Sequence, residues 1–429
     1  MRRTILLVFL FGLFLPLPVL AQEGTSASED FQSVGGDDIA SLKQIIEEQA
    51  AIIEDLSARL EALEERLASV QTKQEELKGV KPAPSWTENL KISGDYRFRF
   101  ETIDEEGKKF RHRDRMRLRL ALTGKVNDQV DAGIRLATGG FDPVSTNQTL
   151  TGGFSRKEFG LDLAYFDWHP SPTGSVRVIG GKMPNSFFIP GGSQLIWDSD
   201  LTPEGVVLKL TSAKGYTKPF LNLGYLWAEE RSGAADSRIY SVQAGVSHKP
   251  KSGTQLTLGA SLYNYENMKG FKTLVDSTKG FGNTTTADPD PAVKDVYYAT
   301  DFNILEVFGE VRFTSGKTPL TFYGDYVKNS DAPANDNGYL YGFTIGKTAE
   351  PGTWSFNYEY RKLEKDAVVG AFSDSDFIGG GTDGKGHKFS FAYQLSKNTT
   401  FGLTYFANTK KLSAPVDYNR WQVDFAFKF

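Results

Sequence analysis

The sequence predicts an all-β protein: a transmembrane antiparallel β-barrel of about sixteen strands, preceded by a short α-helical coiled coil. Three observations carry this reading. From Leu90 to Phe429 apolar and polar residues alternate with period two. The connections between the alternating segments are short and long by turns. Ahead of them stands a strict seven-residue repeat of Ile and Leu. The composition agrees with such a sheet: 429 residues are only 39% hydrophobic, yet include 31 Phe, 18 Tyr and 43 Gly. A chain this polar has no room for several membrane helices of ~20 apolar residues each. It is too aromatic to be disordered. It has no Cys, which excludes disulfides and thiolate chemistry. A net charge of −4 is no footprint for nucleic acid.

The first segment, 1–21, reads as a secretory signal peptide. Arg2 and Arg3 precede an apolar stretch from Thr4 to Leu20, and Val19-Leu20-Ala21 is a small-residue cleavage site. Residues 22–38, rich in Ser, Gly and acids, read as a flexible leader. The coiled coil is predicted over 39–78. One core position falls on Ile39, Ile46, Ile53, Leu60, Leu67 and Gln74, the other on Leu42, Gln49, Leu56, Leu63, Val70 and Leu77. A lone amphipathic helix on a globular surface would drift off so strict a period. Ile45 and Ile52 widen the apolar face, which favours three strands over two. Gly79, Pro82 and Pro84 end the helix and begin a linker, 79–89.

The barrel domain is predicted over 90–429. In its last strand Trp421, Val423, Phe425, Phe427 and Phe429 alternate with Gln422, Asp424, Ala426 and Lys428. Strands are expected near 90–103, 112–124, 128–138, 159–168, 174–182, 204–211, 218–228, 238–247, 254–264, 302–313, 319–328, 339–347, 353–362, 386–395, 399–407 and 419–429. Many approach the ~9–11 residues that cross a bilayer, against ~5–6 for a soluble strand. Hairpins hidden in 265–301 or 363–385 would raise the count to eighteen. A soluble sandwich gives no reason for short and long connections to alternate, whereas a membrane barrel has short turns at one rim and long loops at the other. An even count puts both barrel ends at the short-turn rim.

On strand 112–124 Arg111, Arg113, Arg115, Arg117 and Arg119 share one face, while Met116, Leu118, Leu120 and Leu122 hold the other. Lipid rejects arginine at midplane by ~2–4 kcal/mol each. The arginine row therefore faces the lumen, together with Arg97 and Arg99 of the neighbouring strand. This basic wall guides anions, or its arginines pair with Glu101, Asp131 and loop acids and only satisfy a polar interior.

Signal peptide, coiled coil, alternating-loop barrel and terminal Phe429 together resemble a Gram-negative outer-membrane porin. More narrowly, the chain is similar to the "putative porin" families, with phosphate-selective porins that carry an N-terminal coiled coil as a related group. The resemblance implies a homotrimer in outer-membrane lipid and passive diffusion of small hydrophilic solutes or ions; the even strand count then places the coiled coil in the periplasm, and the arginine row adds the expectation of a weak anion preference. It implies that Trp421, Phe425, Phe427 and Phe429 form the signal read by the barrel-assembly machinery. By analogy with general porins, 183–203 is the loop that folds into the lumen. Phe187, Phe188 and Trp197 are expected on the inner wall, and Asp198 and Asp200 across from the arginines. The other reading is a structural tether whose coiled coil reaches the peptidoglycan, with the barrel as anchor. No catalytic residues, cofactor or metal site are expected. The four His lack zinc spacing and no G-x-S-x-G motif occurs, so an enzyme is not expected.

Overall fold

The structure, a computed structural model, describes residues 36–79, 89–212, 214–251 and 253–429. The expected signal peptide (1–21), nearly all of the leader and most of the linker lie outside the described residues.

The helix α1 runs Gly36–Gly79, three residues ahead of the first heptad position. Its seam is uncovered in the single chain: Leu42, Ile46, Ile53, Leu56, Leu60, Leu63, Leu67 and Val70 are all exposed. Asp55 and Arg59 pair at 2.9 Å one turn apart on its surface. No helix among the described residues is long and apolar enough to cross a membrane.

Sixteen antiparallel strands close into a barrel. They are β1 (Leu90–Glu105), β2 (Arg111–Asn127), β3 (Val130–Thr138), β4 (Phe159–Trp168), β5 (Val176–Lys182), β6 (Glu204–Thr211), β7 (Thr217–Glu229) and β8 (Ser237–His248). The second half comprises β9 (Gln255–Tyr265), β10 (Phe302–Ser315), β11 (Thr318–Asn329), β12 (Asn337–Gly346), β13 (Trp354–Leu363), β14 (Gly384–Ser396), β15 (Thr399–Lys410) and β16 (Val416–Lys428). Each strand pairs with its neighbours in sequence, and β1 pairs with β16 from Asp95↔Lys428 to Glu105↔Tyr418. The Phe429 N–H and C=O both bond Gly94, at 3.1 and 2.8 Å. Gly94 is needed there, because a Cβ would lie 2.5 Å from the Phe429 ring.

Neither possible extra hairpin joins the wall. Thr285–Ala287 and Val296–Tyr298 pair as a separate small sheet inside the loop 266–301, and 364–383 holds two short 3₁₀ turns. The count is therefore sixteen, not eighteen. The connections at one rim are 128–129, 169–175, 212–216, 249–254, 316–317, 347–353 and 397–398. The other rim carries 139–158, 183–203, 266–301 and 364–383, together with four shorter loops.

The faces are inside out relative to a soluble protein. Along β10, Leu305 and Val307 are exposed while Glu306 and Glu310 are buried; along β8, Tyr240 and Val242 are exposed while Ser241 and Gln243 are buried. Period-two alternation puts apolar residues outward toward lipid and polar residues inward. An apolar core nevertheless exists within the barrel. The three loops 183–203, 266–301 and 364–383 pack Trp197, Leu274, Tyr298 and Phe372 against inward residues such as Tyr263, Ile304 and Val327.

Candidate pore constriction

The basic wall begins with register. Across β1 and β2, Arg97 lies opposite Arg117, Arg99 opposite Arg115, Glu101 opposite Arg113 and Asp95 opposite Arg119. Two of these four pairs set like charges directly opposite each other, which is unfavourable unless carboxylates or solvent intervene. Carboxylates meet part of this need. Asp95 accepts from Arg117 at 2.7 and 2.9 Å and from Arg119 at 2.7 Å. Arg99 forms a two-point pair with Asp424 of β16, at 2.7 and 2.8 Å, and a further bond to Asp376 at 3.1 Å. Glu101, 2% exposed, holds both Arg113 and Arg420.

The wall's upper half depends on strand length. β3 ends at Thr138, opposite Leu118–Arg119, so β2 above that point has no β3 partner. The loop 139–158 covers the bare edge: Gln148–Thr149 pair with Arg115–Met116. An unpaired edge invites such covering. The same dip brings Asn147 to Arg97, whose NH2 donates to Asn147 Oδ1 at 2.5 Å, and Ser145 and Asn147 to Arg115.

Opposite stands the loop 183–203. Its first half is seated on the inner face of β7–β11. Phe188 stacks on Phe308 with ring centres 5.4 Å apart, and Phe187 meets Trp197 and Tyr263 edge-on. The Phe188 N–H donates to Gln243 Oε1 at 2.6 Å, and Gln243 returns a bond to the Phe188 carbonyl. Gly191, at φ 61°, donates its N–H to Glu310 at 2.7 Å, and the Ser193 hydroxyl donates to Asp325 at 2.8 Å. The Trp197 indole donates to Tyr265 at 3.0 Å. The second half carries the carboxylates. Asp200 accepts the Thr146 N–H at 3.0 Å and lies 3.9 and 3.5 Å from the guanidiniums of Arg117 and Arg119. Asp198 accepts the Ser375 N–H at 2.8 Å.

Between these two sides lies a polar cavity of about 220 Å³, with Arg97, Arg99, Arg117 and Lys388 on the wall and Asp198, Asp200, Asp374 and Asp376 on the loops. Arg113 and Arg115 line a separate, outer space instead, and Arg119 touches the edge of the cavity through Asp200. Sequence reasoning named the arginines, Asp198 and Asp200. It did not name Asp374, Asp376, Lys388 or the contribution of 364–383. The signal available was the run Ser373-Asp374-Ser375-Asp376, acids at alternate positions like those of 198–200. Arg361 of β13, 1% exposed, ties the two loops together: it donates to the Gln194 carbonyl at 3.0 Å, to Asp374 at 3.1 Å and to Glu359 at 2.8 Å.

The loop carboxylates differ in charge. Burial, with Asp374 and Asp200 nearby, pushes Asp198 up to about 8. Burial also acts upward on Asp200, but the Thr146 N–H and the arginines at 117 and 119 outweigh it and hold Asp200 below the ordinary carboxylate range. Asp376 is likewise held low against burial, by Arg420 and Arg99.

Trp421, Phe425, Phe427 and Phe429 lie on the outer face of β16 and at its end. Trp421 stacks on Tyr405 at 4.2 Å, Phe425 meets Phe401 at 5.5 Å, and Phe427 stacks on Tyr96 across the closing seam at 6.0 Å.

A closed antiparallel barrel with an apolar outside, a charged lumen and loops folded inward defines a membrane channel of the diffusion-porin class. The model of a family described as "putative porin" matches residues 102–295 and 283–429, and the chain belongs to that family. The porin OprB of Pseudomonas putida, in a structure at high pH, is similar in fold: TM-score 0.54 at 11% identity, covering 80% of this chain and 95% of that one. OmpF of Salmonella typhi, in complex with daunomycin, gives 0.48 at 11% identity over 79% of this chain and 97% of that one. A Rhodobacter blastica porin variant gives 0.48 at 11% over 79% and 100%. No curated relative matches the sequence. The protein is an outer-membrane channel for passive diffusion, and family and fold point to a channel rather than an enzyme.

Proposed function

We propose that the channel passes small hydrophilic solutes and ions with a weak preference for anions, set in the 220 Å³ cavity between the basic wall and the inward loops. The observation that carries this reading is Arg97. It faces Arg117 across the strands, and its nearest carboxylate, Asp424, lies 3.9 Å away and is already held at two points by Arg99. The other cavity charges are largely matched: Asp200 with Arg117 and Arg119, Asp376 with Arg99 and Arg420, Asp374 with Arg361. With Asp198 largely protonated near neutral pH, the balance tips positive. The preference is weak because carboxylates stand within ångströms, and because salt screens beyond ~8 Å at physiological strength.

The test is the reversal potential in a KCl gradient across a planar bilayer. The native channel is expected to favour chloride, less so as salt rises. Arg97→Gln together with Arg117→Gln should move the potential toward potassium, since each charge ~4 Å from a passing ion is worth ~1 kcal/mol even in water-like surroundings. An unchanged potential would remove the basic wall from the selectivity region, and an absent conductance would revive the tether.

The same reading extends to assembly. We infer a homotrimer in outer-membrane lipid, supported by the uncovered heptad seam of α1 and by the brevity of β5 and β6, which are 7 and 8 residues long. A strand below the ~9–11 residues of a full crossing profits from a protein neighbour on its outer face. The coiled coil belongs on the periplasmic side, because β1 starts at the short-turn rim, and the peptidoglycan is within its chemistry as a partner there. The exposed aromatic ladder of β16, ending in Phe429, suits recognition by the barrel-assembly machinery.

A further inference from the structure

The outer part of the basic wall serves a different space from the constriction. Toward the long-loop rim a cavity of about 750 Å³ opens between the ends of β1, β2 and β15 and the loops 266–301 and 364–383. Its lining carries far more cations than acids; the acids are Glu105 and Asp142. Glu105 is shared by Lys108 and Lys410, at 2.9 and 3.4 Å. Lys279 is taken by Asp276 at 2.6 Å, and Glu101 behind the wall serves both Arg113 and Arg420. Asp142 caps the Val144 N–H at 3.1 Å. Among the described residues no ion pair is left for Lys109, Arg111 or Arg115.

Arg115 forms the floor of this space. It is 9% exposed, yet only neutral groups meet it: NH2 donates to Ser145 Oγ at 3.3 Å and to the Asn147 carbonyl at 3.0 Å, and Nε is buried with no partner. A buried cation with a free N–H, and with Glu101, Asp142 and Asp376 acting on it only from beyond ion-pair distance, is a costly arrangement in isolation. Arg111 and Arg113 stand on the same face of β2, each about 6.7 Å further out, so the repulsion accumulates along the row. An anion carrying two or more charges, with several acceptor oxygens, relieves both costs at once.

We propose that this vestibule is a binding site for multivalent oxyanions, with Arg115 at its floor and Arg111 and Lys109 at its rim, from which the solute passes to the constriction below. The site rests on the channel reading above but not on the selectivity of the 220 Å³ cavity. The probe is inorganic sulfate, added at the long-loop side of single channels conducting KCl in a bilayer of neutral phospholipid, so that no lipid headgroup supplies the anion. Sulfate should reduce the chloride current saturably. The half-blocking concentration should rise about tenfold in Arg115→Gln, the scale of one lost charge-assisted hydrogen bond. It should rise severalfold in the double variant Lys109→Gln, Arg111→Gln, whose exposed side chains bear no fold role and which therefore stands in if Arg115→Gln does not insert. A current that falls only with ionic strength, or a block unchanged in the variants, overturns the site. The KCl reversal potential on the same channels reports the constriction separately. Its loss with sulfate block intact defeats the anion preference alone, and block lost with the potential intact defeats the vestibule alone.

Discussion

Asp198 and Asp200 stand two residues apart on one loop and hold opposite charge states near neutral pH, because their surroundings differ. Asp200 faces Arg117, Arg119 and the Thr146 N–H, and stays ionised. Asp198 is buried against Asp374, with a carboxyl that titrates at about 8. Its folded value lies above the ~3.9 of an unfolded aspartate. The native state therefore binds the extra proton, and the stability of the contact is full at low pH and declines as pH climbs toward 8. Selectivity follows the same proton: as Asp198 ionises, the cavity gains a negative charge and anion preference should fall. Reversal potentials at pH 6 and pH 9 check this. Asp200→Asn should deepen anion preference at pH 6, whereas Asp198→Asn should leave it near native at pH 6 and remove the native shift toward cations at pH 9. Equal effects of the two variants at pH 6 would mean Asp198 is ionised there.

Loops 183–203 and 364–383 behave as one element because Arg361 and two backbone contacts join them: the Asp198 N–H donates to the Phe372 carbonyl at 2.8 Å, and the Ser375 N–H donates to Asp198. Arg361→Ala leaves Glu359 and Asp374 buried without their cation. Removing one partner of a buried pair costs roughly 3–5 kcal/mol. The strand ladders of the wall are untouched, so the barrel should still close while its thermal midpoint drops and its open current becomes noisier. Arg361→Lys should recover part of both. Unchanged noise and midpoint in the alanine variant would show the loops to be held elsewhere. The first of these loops was legible in the sequence and the second was not, for a physical reason. A strand announces itself locally through alternation, which is why the ranges read from the chain fall within a few residues of β1–β16. The arginine face of β2 was legible for the same reason. A loop that folds inward is held by residues far away in sequence: Phe188 by Gln243 and Phe308, Asp374 by Arg361, Asn283 by the Lys365 and Val368 carbonyls. None of those pairings leaves a local pattern. Nor does the division of the arginine row into a constriction half and a vestibule half, which depends on β3 stopping at Thr138 and on 139–158 filling the gap.

For the molecule as a whole, the two units place opposite demands on association. The barrel satisfies its backbone by itself: every strand has two partners and the Asp95–Glu105 register closes the ring, so no second chain is needed for hydrogen bonding. The helix cannot satisfy itself. Its eight seam residues from Leu42 to Val70 that keep heptad spacing are exposed in one chain, and burying such a seam at ~25 cal/mol per Å² of apolar surface is the main stabilisation open to it. Association should therefore be driven by the stalk, and folding should not. Full-length protein in mild detergent is expected to run as a trimer by light scattering. With residues 39–78 deleted, the protein should keep the far-ultraviolet spectrum of a β-sheet, resist unfolding in detergent as a closed barrel does, and conduct in a bilayer, while its trimers dissociate at lower temperature or dilution. If the deleted chain failed to insert, the barrel would not be an independent unit. If its trimers were as robust as those of the full chain, the outer face of the barrel around the short neighbouring strands β5 and β6 would be the seat of association, and the exposed helix seam would be left for a partner other than a second copy of this chain.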